Sequence, residues 1–159
     1  MNGTAATAVG LTEAVIAATA ADADAVQIVL APPFTALPAV AAALGLLGTA
    51  DGQLDCSGLV RRAYAAAGVD LPRTVREQLE VGEPVLPQHL QPGDLVFFAF
   101  RHRTADHVGV YAGRGQMVHV SSSARCVQLV PLASPSIAGA HVAARRPAGG
   151  AVANRVPGN

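Results

Sequence analysis

The chain contains no lysine. All 11 of its basic side chains are arginine, and 11 acidic side chains balance them at a formal charge of zero. A protein that binds nucleic acid through the phosphates carries an excess of positive charge. The balance therefore argues against a nucleic-acid partner. Arginine in place of lysine is typical of a GC-rich coding sequence, and we attach no function to it.

Cysteine is also scarce. Cys56 and Cys126 are too few for a disulfide framework, and they leave the cellular compartment undecided. A zinc site built from these two residues with His107 and His119 is one alternative. However, the chain has no short Cys-x-x-Cys or His-x-x-x-His pair that would support such a site. We therefore expect neither a metal nor a cofactor.

Signals for export or membrane insertion are weak. The first positive side chain is Arg61, whereas a secretory signal begins with a charged segment, so no signal peptide is evident. Residues 26–47 are almost wholly apolar, but prolines at 32, 33 and 38 interrupt them. These prolines predict a short strand, a break and a helix, and we expect no membrane span.

Enough apolar residues remain for a folded domain, because 159 residues with 51% hydrophobic content can bury a core. Helical spacing of apolar residues predicts helices at 10–23, 35–46, 57–67 and 74–80. Strands are predicted at 26–30, 94–100, 107–112, 116–120, 126–130 and 141–145. Residues 82–93 hold three prolines and predict a loop. Helices followed by an antiparallel sheet are typical of an α+β fold.

Cys56 lies at the start of a predicted helix, in the run Asp55-Cys56-Ser57-Gly58. The partial positive charge of a helix N-terminus favours thiolate over thiol, so we expect a lowered pKa for Cys56. The free N–H groups of the first turn can also hold an oxyanion. Taken alone, the run favours a buried and inert cysteine at a helix start over a reactive one.

Two histidines on paired strands could complete a catalytic site. His107 opens a predicted strand and can accept the cysteine proton. His119 lies on the next strand beyond a Gly113-Arg114-Gly115 hairpin, where it can hold the far nitrogen of His107. His102, between two arginines in a loop, competes with His107 for the role of base. Because a strand is the more rigid support, we favour His107.

From about residue 45 to residue 146 the chain resembles the NlpC/P60 cysteine peptidases. The matching segments, in order, are Asp55-Cys56-Ser57-Gly58-Leu59-Val60, Ala67-Gly68-Val69-Asp70-Leu71-Pro72-Arg73-Thr74, Gln78, Pro92-Gly93-Asp94-Leu95-Val96-Phe97-Phe98, His107-Val108-Gly109-Val110-Tyr111 and Met117-Val118-His119. The resemblance implies a papain-like α+β fold with the nucleophile at a helix N-terminus packed on an antiparallel sheet.

The same resemblance implies a function. It implies a secreted or cell-wall-associated endopeptidase that cuts amide bonds in peptidoglycan stem peptides, typically between D-glutamate and a diamino acid. It makes Cys56 the nucleophile, His107 the base and His119 the residue that orients the base. It also implies that Asp55, Ser57 and Arg73 bind the substrate. The oligomeric state stays open.

One departure from the family pattern precedes the nucleophile. The family carries a Tyr-Val-Trp-Gly-Gly stretch there, whose tyrosine helps to shape the oxyanion site, whereas this chain has Leu44-Gly45-Leu46-Leu47-Gly48-Thr49. A catalytically weak or inactive domain with a wall-binding or structural role is therefore the alternative function. An acyltransferase or amidase on the same fold is a third option, since it would use the same thiolate acyl chemistry.

Residues 1–43 resemble the opening of triosephosphate isomerase, through Met1-Asn2-Gly3-Thr4 and the run from Val26 to Val40. That enzyme needs a lysine that this chain lacks and a barrel of about 250 residues, so isomerase activity is excluded. We therefore divide the chain into a 1–44 extension, a 45–146 peptidase domain and a flexible 147–159 tail. We also expect residues 1–43 to pack loosely against the domain.

Overall fold

The structure, a computed structural model, describes residues 36–148. Its helices are α1 (Ala36–Leu44), α2 (Cys56–Ala65) and α3 (Val75–Leu79). Its strands are β1 (Glu83–Pro84), β2 (Leu95–Phe98), β3 (His107–Gly113), β4 (Gln116–Ser121), β5 (Cys126–Pro131) and β6 (His141–Arg146). Single 3₁₀ turns lie at Pro87–His89 and Ala138–Ala140.

The six strands form one antiparallel sheet in the order β1-β6-β2-β3-β4-β5. The β3–β4 hairpin turns through Gly113, Arg114 and Gly115, all with positive φ. Left-handed backbone of this kind costs glycine little, which explains why the turn forms at two glycines. The hairpin brings the ends of β3 and β4 that carry His107 and His119 to the same end of the sheet.

Alternate residues of each strand face opposite sides of the sheet. On one side, Leu95, Phe97, Val108 and Val110 pack with α1 and α2 in the main core. On the other side, a smaller cluster contains Val96, Phe98, Met117, Ile137 and Ala144. The strands at the centre of the sheet are therefore buried on both faces, which gives the site a rigid support.

Helix α2 begins at Cys56 because Asp55 caps it. The Asp55 carboxylate accepts a hydrogen bond from the Gly58 N–H at 2.7 Å, which satisfies one of the donors that a helix start leaves free. The buried side of the helix carries Leu59, Val60, Ala63 and Tyr64. Its N-terminus, and with it Cys56, is thus fixed against the sheet.

A buried ion pair joins the end of β6 to the residue that precedes β2. Arg146 donates two hydrogen bonds of 2.8 Å to the carboxylate of Asp94, which is 1% exposed. Asp94 also accepts from the Gln91 N–H. The ion pair and the hydrogen bonds offset the free-energy cost of burying the Asp94 carboxylate. They also connect β6 to the start of β2. The Pro-Gly-Asp run of the sequence therefore has a structural role.

The α+β fold with its antiparallel sheet is confirmed, and the predicted strands from 94 to 145 agree with β2 to β6 to within three residues. The predicted loop at 82–93 is wrong in part, because it contains β1 and a 3₁₀ turn. Strand β1 is two residues long and pairs with the distant β6, so no local periodicity marks it. No helix within residues 36–148 has both the length and the apolarity of a bilayer span.

The expected loose packing of residues 1–43 is wrong for the last eight of them. Helix α1 buries Ala36, Ala39, Val40 and Ala43, and three of these belong to the main core. Its apolar residues recur at helical spacing, so α1 supplies one of the surfaces that cover the sheet. The predicted helix at 10–23, strand at 26–30 and tail at 149–159 lie outside the described residues.

Candidate active site

The thiol of Cys56 is half-buried at the first position of α2 and touches the main core. Burial raises the pKa of the thiol, whereas the backbone N–H groups of Val108, at the start of β3, and of Ser57 favour the thiolate and so act to lower it. The thiol and His107, the residue before Val108, line the same cavity. The start of α2 and the start of β3 therefore both border this cavity.

His107 and His119 form a hydrogen-bonded pair. His107 Nε2 lies 2.9 Å from His119 Nδ1, and the two rings are nearly perpendicular with centroids 5.1 Å apart. If the bond runs from the His107 Nε2–H to a bare His119 Nδ1, then His107 Nδ1 is unprotonated and can accept a proton. His119 is 8% exposed, which keeps its ring in place.

Aromatic rings and one glycine position the His107 ring. Phe98 and Phe100 lie against it, with ring centroids 6.5 and 5.5 Å away. Gly109 faces β4 so closely that an added Cβ would lie 2.9 Å from the Val118 carbonyl oxygen and 3.2 Å from the His119 Cβ. A side chain at position 109 would therefore push His119 away from His107.

Burial shifts the pKa values of Cys56 and of both histidines. It raises the pKa of the Cys56 thiol, against the opposing effect of the Val108 and Ser57 N–H groups, and the charge of Asp55 raises it further. Burial and the neighbouring His119 lower the pKa of His107 to about 4, and burial lowers the pKa of His119. The raised pKa of Cys56 and the lowered pKa of His107 favour a neutral thiol and a neutral imidazole at neutral pH.

The prediction of a lowered Cys56 pKa is therefore wrong for the substrate-free site. A helix end contributes about 0.3–1 kcal/mol at an exposed position. Desolvation of a half-buried thiolate exceeds that contribution here, because it is the largest influence on the Cys56 pKa. The sequence shows the helix start but not the depth of the thiol, which is why the expectation failed.

Asp55, Ser57 and Arg73 form one hydrogen-bonded group next to the thiol. Arg73 reaches both carboxylate oxygens of Asp55, at 2.6 and 3.2 Å, and the Ser57 hydroxyl at 2.9 Å. Burial opposes ionisation of Asp55, but the Arg73 hydrogen bonds and the Gly58 N–H lower the pKa of its carboxyl. Because Asp55 and Arg73 are about half exposed, they remain open to a ligand.

Gln78 connects this group to the segment before α3. Its side-chain amide is fully buried and donates to the carbonyls of Ser57, at 3.0 Å, and Pro72, at 2.9 Å. Those two bonds hold the first turn of α2 and the residue before Arg73 at a fixed separation. Gln78 is therefore a positioning residue whose role the sequence alone did not reveal.

A cavity of about 470 Å³ opens at the thiol. It is lined by Asp51, Asp55, Cys56, Phe100, Arg101, His102, Asp106, His107, Val120 and Ser122. His102, the competing base, thus reaches the same cavity, but from an exposed loop and not from a strand. Asp51, Arg101 and Ser122 were missed by sequence reasoning, because they lie in loops that carry no periodic signal.

Asp51 enters the cavity on the segment between α1 and α2. That segment runs beside β5: Ala50 bridges to Cys126, and Gly48, Thr49 and Asp51 exchange hydrogen bonds with the Arg125 and Val127 backbone. Asp51 forms a 3.5 Å ion pair with Arg125. The segment therefore extends the sheet and closes one wall of the cavity.

A helix-borne cysteine beside a histidine pair on an antiparallel sheet defines the class of papain-like α+β domains. The NlpC/P60 family model matches residues 45–146, which is more than half of the chain. The chain therefore belongs to the NlpC/P60 family.

Three known proteins illustrate the range of the family. The chain is 37% identical over 101 residues to the gamma-D-glutamyl-L-lysine dipeptidyl-peptidase of Bacillus cereus, covering 62% of this chain and 30% of that protein. It resembles the peptidoglycan hydrolase RipB of Mycobacterium tuberculosis, with TM-score 0.61 and 28% identity over 70% of this chain and 64% of that one.

The third is RipD of the same organism, described as a non-catalytic NlpC/P60 domain protein adapted to peptidoglycan binding. The TM-score is 0.58 and the identity 28%, over 70% of this chain and 96% of that one. The fold therefore occurs with and without catalysis, and the chain spans only about a third of the curated relative named above.

Proposed function

We propose that this chain is a cysteine endopeptidase that hydrolyses amide bonds in peptidoglycan stem peptides, at a cell-wall or secreted location. The observation that carries the proposal is the hydrogen bond between His107 Nε2 and His119 Nδ1, with His107 and Cys56 lining the same cavity. The relatives described as a gamma-D-glutamyl-L-lysine dipeptidyl-peptidase and as a peptidoglycan hydrolase support the substrate class.

The reaction begins with thiol and imidazole both neutral. His107 Nδ1 takes the Cys56 proton as the sulfur attacks the amide carbonyl, and the N–H groups of the first α2 turn stabilise the oxyanion. The imidazolium then protonates the leaving amine, and a thioester remains on Cys56. Water, deprotonated by His107, hydrolyses that thioester and restores the thiol.

His119 supports these proton transfers to and from His107 by staying neutral. Its low pKa leaves Nδ1 free to accept the His107 Nε2–H in both protonation states of His107. A protonated His119 would instead repel the imidazolium that forms during attack. The proposed role of His119 is thus to fix the tautomer and to stabilise the transient charge.

Asp55, Ser57 and Arg73 are the proposed substrate-binding residues. Their hydrogen bonds leave the exposed edge of the Arg73 guanidinium and of the Asp55 carboxylate facing solvent next to the thiol. A peptide lying along this edge would place its acyl part against the α2 N-terminus. Such positioning is what converts a bound peptide into a reactive one.

A non-catalytic, peptidoglycan-binding role is the second candidate. It is favoured by the absence of a tyrosine from the segment between α1 and Asp55, together with the fold likeness to RipD. Binding alone needs the cavity but not the thiol. Removal of the Cys56 sulfur should therefore abolish hydrolysis but leave binding of peptidoglycan intact.

Digestion of purified murein tests the proposal. The wild type should release soluble muropeptides whose masses place the cut in the stem peptide, and Cys56→Ala should release none while still binding murein. Cys126→Ser is the matched control, since it removes the other thiol and should digest normally. Binding by the wild type without release of fragments would instead support the non-catalytic role.

A further inference from the structure

The loop between β2 and β3 carries Arg101-His102-Arg103, which the proposed chemistry leaves without a role. Asp106 holds the start of this loop in place. The two carboxylate oxygens of Asp106 accept the N–H groups of Phe100, at 2.9 Å, and Arg101, at 2.7 Å. The backbone of Arg101 is thereby held at the edge of the cavity that contains the thiol.

The carboxylates around that cavity all have partners. Asp55 is bound by Arg73, Asp51 is paired with Arg125, and Asp106 is occupied by backbone N–H groups. Among residues 36–148, no carboxylate oxygen lies within ion-pair distance of the Arg101 guanidinium. Arg101 is therefore the cavity's unpaired strong cation within this part of the chain.

We propose that Arg101 binds a carboxylate on the residue whose amide bond is cut, and so selects substrates with a free α-carboxyl group. The inference rests on the proposed function. A γ-linked glutamyl residue carries its α-carboxylate close to the scissile carbonyl, whereas its α-amide form is neutral there. A guanidinium offers a carboxylate two parallel hydrogen bonds, which it cannot form with a neutral amide.

The test uses two peptides, L-Ala-γ-D-Glu-L-Lys with a free α-carboxyl group and the same peptide with that group as the amide. The wild type should cleave the acid at least about tenfold more efficiently in kcat/KM, the contribution of one charge-assisted hydrogen bond. Arg101→Gln should cleave both at the rate of the amide. Arg101→Lys should keep part of the preference for the acid, because lysine retains the positive charge but cannot form two parallel hydrogen bonds.

Arg103→Gln is the matched control, since Arg103 is also an exposed arginine of the same loop but does not line the cavity. It should keep the full preference. Equal cleavage of the two peptides by the wild type would overturn the inference, as would an undiminished preference in Arg101→Gln. Normal cleavage of the amide by every arginine variant shows that the fold and the thiol are intact.

Calorimetric binding of the same peptides to Cys56→Ala, with and without Arg101→Gln, separates this inference from the proposed function. A preference for the acid that Arg101→Gln removes supports the inference even if neither peptide is cleaved, in which case only the hydrolase proposal fails. Cleavage of both peptides without any binding preference overturns the role of Arg101 and leaves the hydrolase proposal standing.

Discussion

His107 Nε2 and His119 Nδ1 lie 2.9 Å apart on neighbouring strands, so a bond donated by the His107 Nε2–H leaves His107 Nδ1 to take a proton. Two consequences follow from this pairing. It holds the His107 ring at the cavity that Cys56 also lines, and the His119 ring adds to burial in lowering the pKa of His107.

His119→Ala should lower kcat by roughly 10²- to 10⁴-fold, the range expected when a catalytic histidine loses the partner that fixes its tautomer. His119→Asn should recover part of this loss, because its side-chain oxygen can accept the Nε2–H. Loss of the His119 ring should also raise the pKa of His107, so the acid limb of the pH–kcat profile should move to higher pH. An unchanged acid limb in His119→Ala would argue against the pairing.

The protonation of Cys56 can be read from its alkylation rate against pH in a Cys126→Ser background, where Cys56 is the remaining thiol. Since burial raises the pKa of Cys56, the rate should climb through and beyond the ordinary thiol value of about 8.5. His107→Ala should leave the curve nearly unchanged, because His107 is already neutral above about pH 4. A plateau in mild acid that disappears in His107→Ala would instead reveal a preformed ion pair.

Asp55 has two separable roles, as the cap of α2 and as the partner of Arg73. Asp55→Ala removes both and should lower the free energy of unfolding by about 1 kcal/mol. Asp55→Asn keeps the cap, so its stability should stay within a few tenths of a kcal/mol of the wild type, while kcat/KM falls because Arg73 loses its anchor. Urea unfolding and peptide hydrolysis measure the two effects, and equal destabilisation by both variants would contradict the division.

The packing of α1 gives a prediction about stability. Ala39 is fully buried, and Ala41, on the same helix, is exposed. Ala39→Asp should destabilise the domain by about 3 kcal/mol or more, because it places an unpaired charge in the core. Ala41→Asp should change the stability by less than about 0.5 kcal/mol. Similar midpoints for the two variants in thermal unfolding would show that α1 does not belong to the core.

Most of this fold can be predicted from the sequence because its strands and turns are marked by patterns in neighbouring residues. Alternating residues identify strands such as β3 and β4, and the Gly113-Arg114-Gly115 turn pairs them in the register that joins His107 to His119. Strand β1 escapes prediction because it pairs with β6, about 60 residues away, over only two residues. Such a pairing leaves no periodic pattern in either segment.

The site was predictable in its residues but not in its environment. Helix propensity and spacing place Cys56 at a helix start, whereas the pKa of its thiol depends on burial that only tertiary packing determines. Asp51 and Arg101 reach the cavity from loops, one held by β5 and the other by Asp106. Those contacts depend on long-range geometry, so their residue types alone do not indicate them.

Hydrolysis of a synthetic stem peptide by the wild type, Cys56→Ala and Cys126→Ser tests the central claim most directly. With Cys56 as the nucleophile, the wild type and Cys126→Ser should cleave the γ-D-glutamyl amide at similar rates. Cys56→Ala should then be slower by a factor of roughly 10⁴ or more, as expected for loss of a nucleophile. Cleavage by Cys56→Ala at the wild-type rate, or none by a folded wild-type protein, would contradict the account.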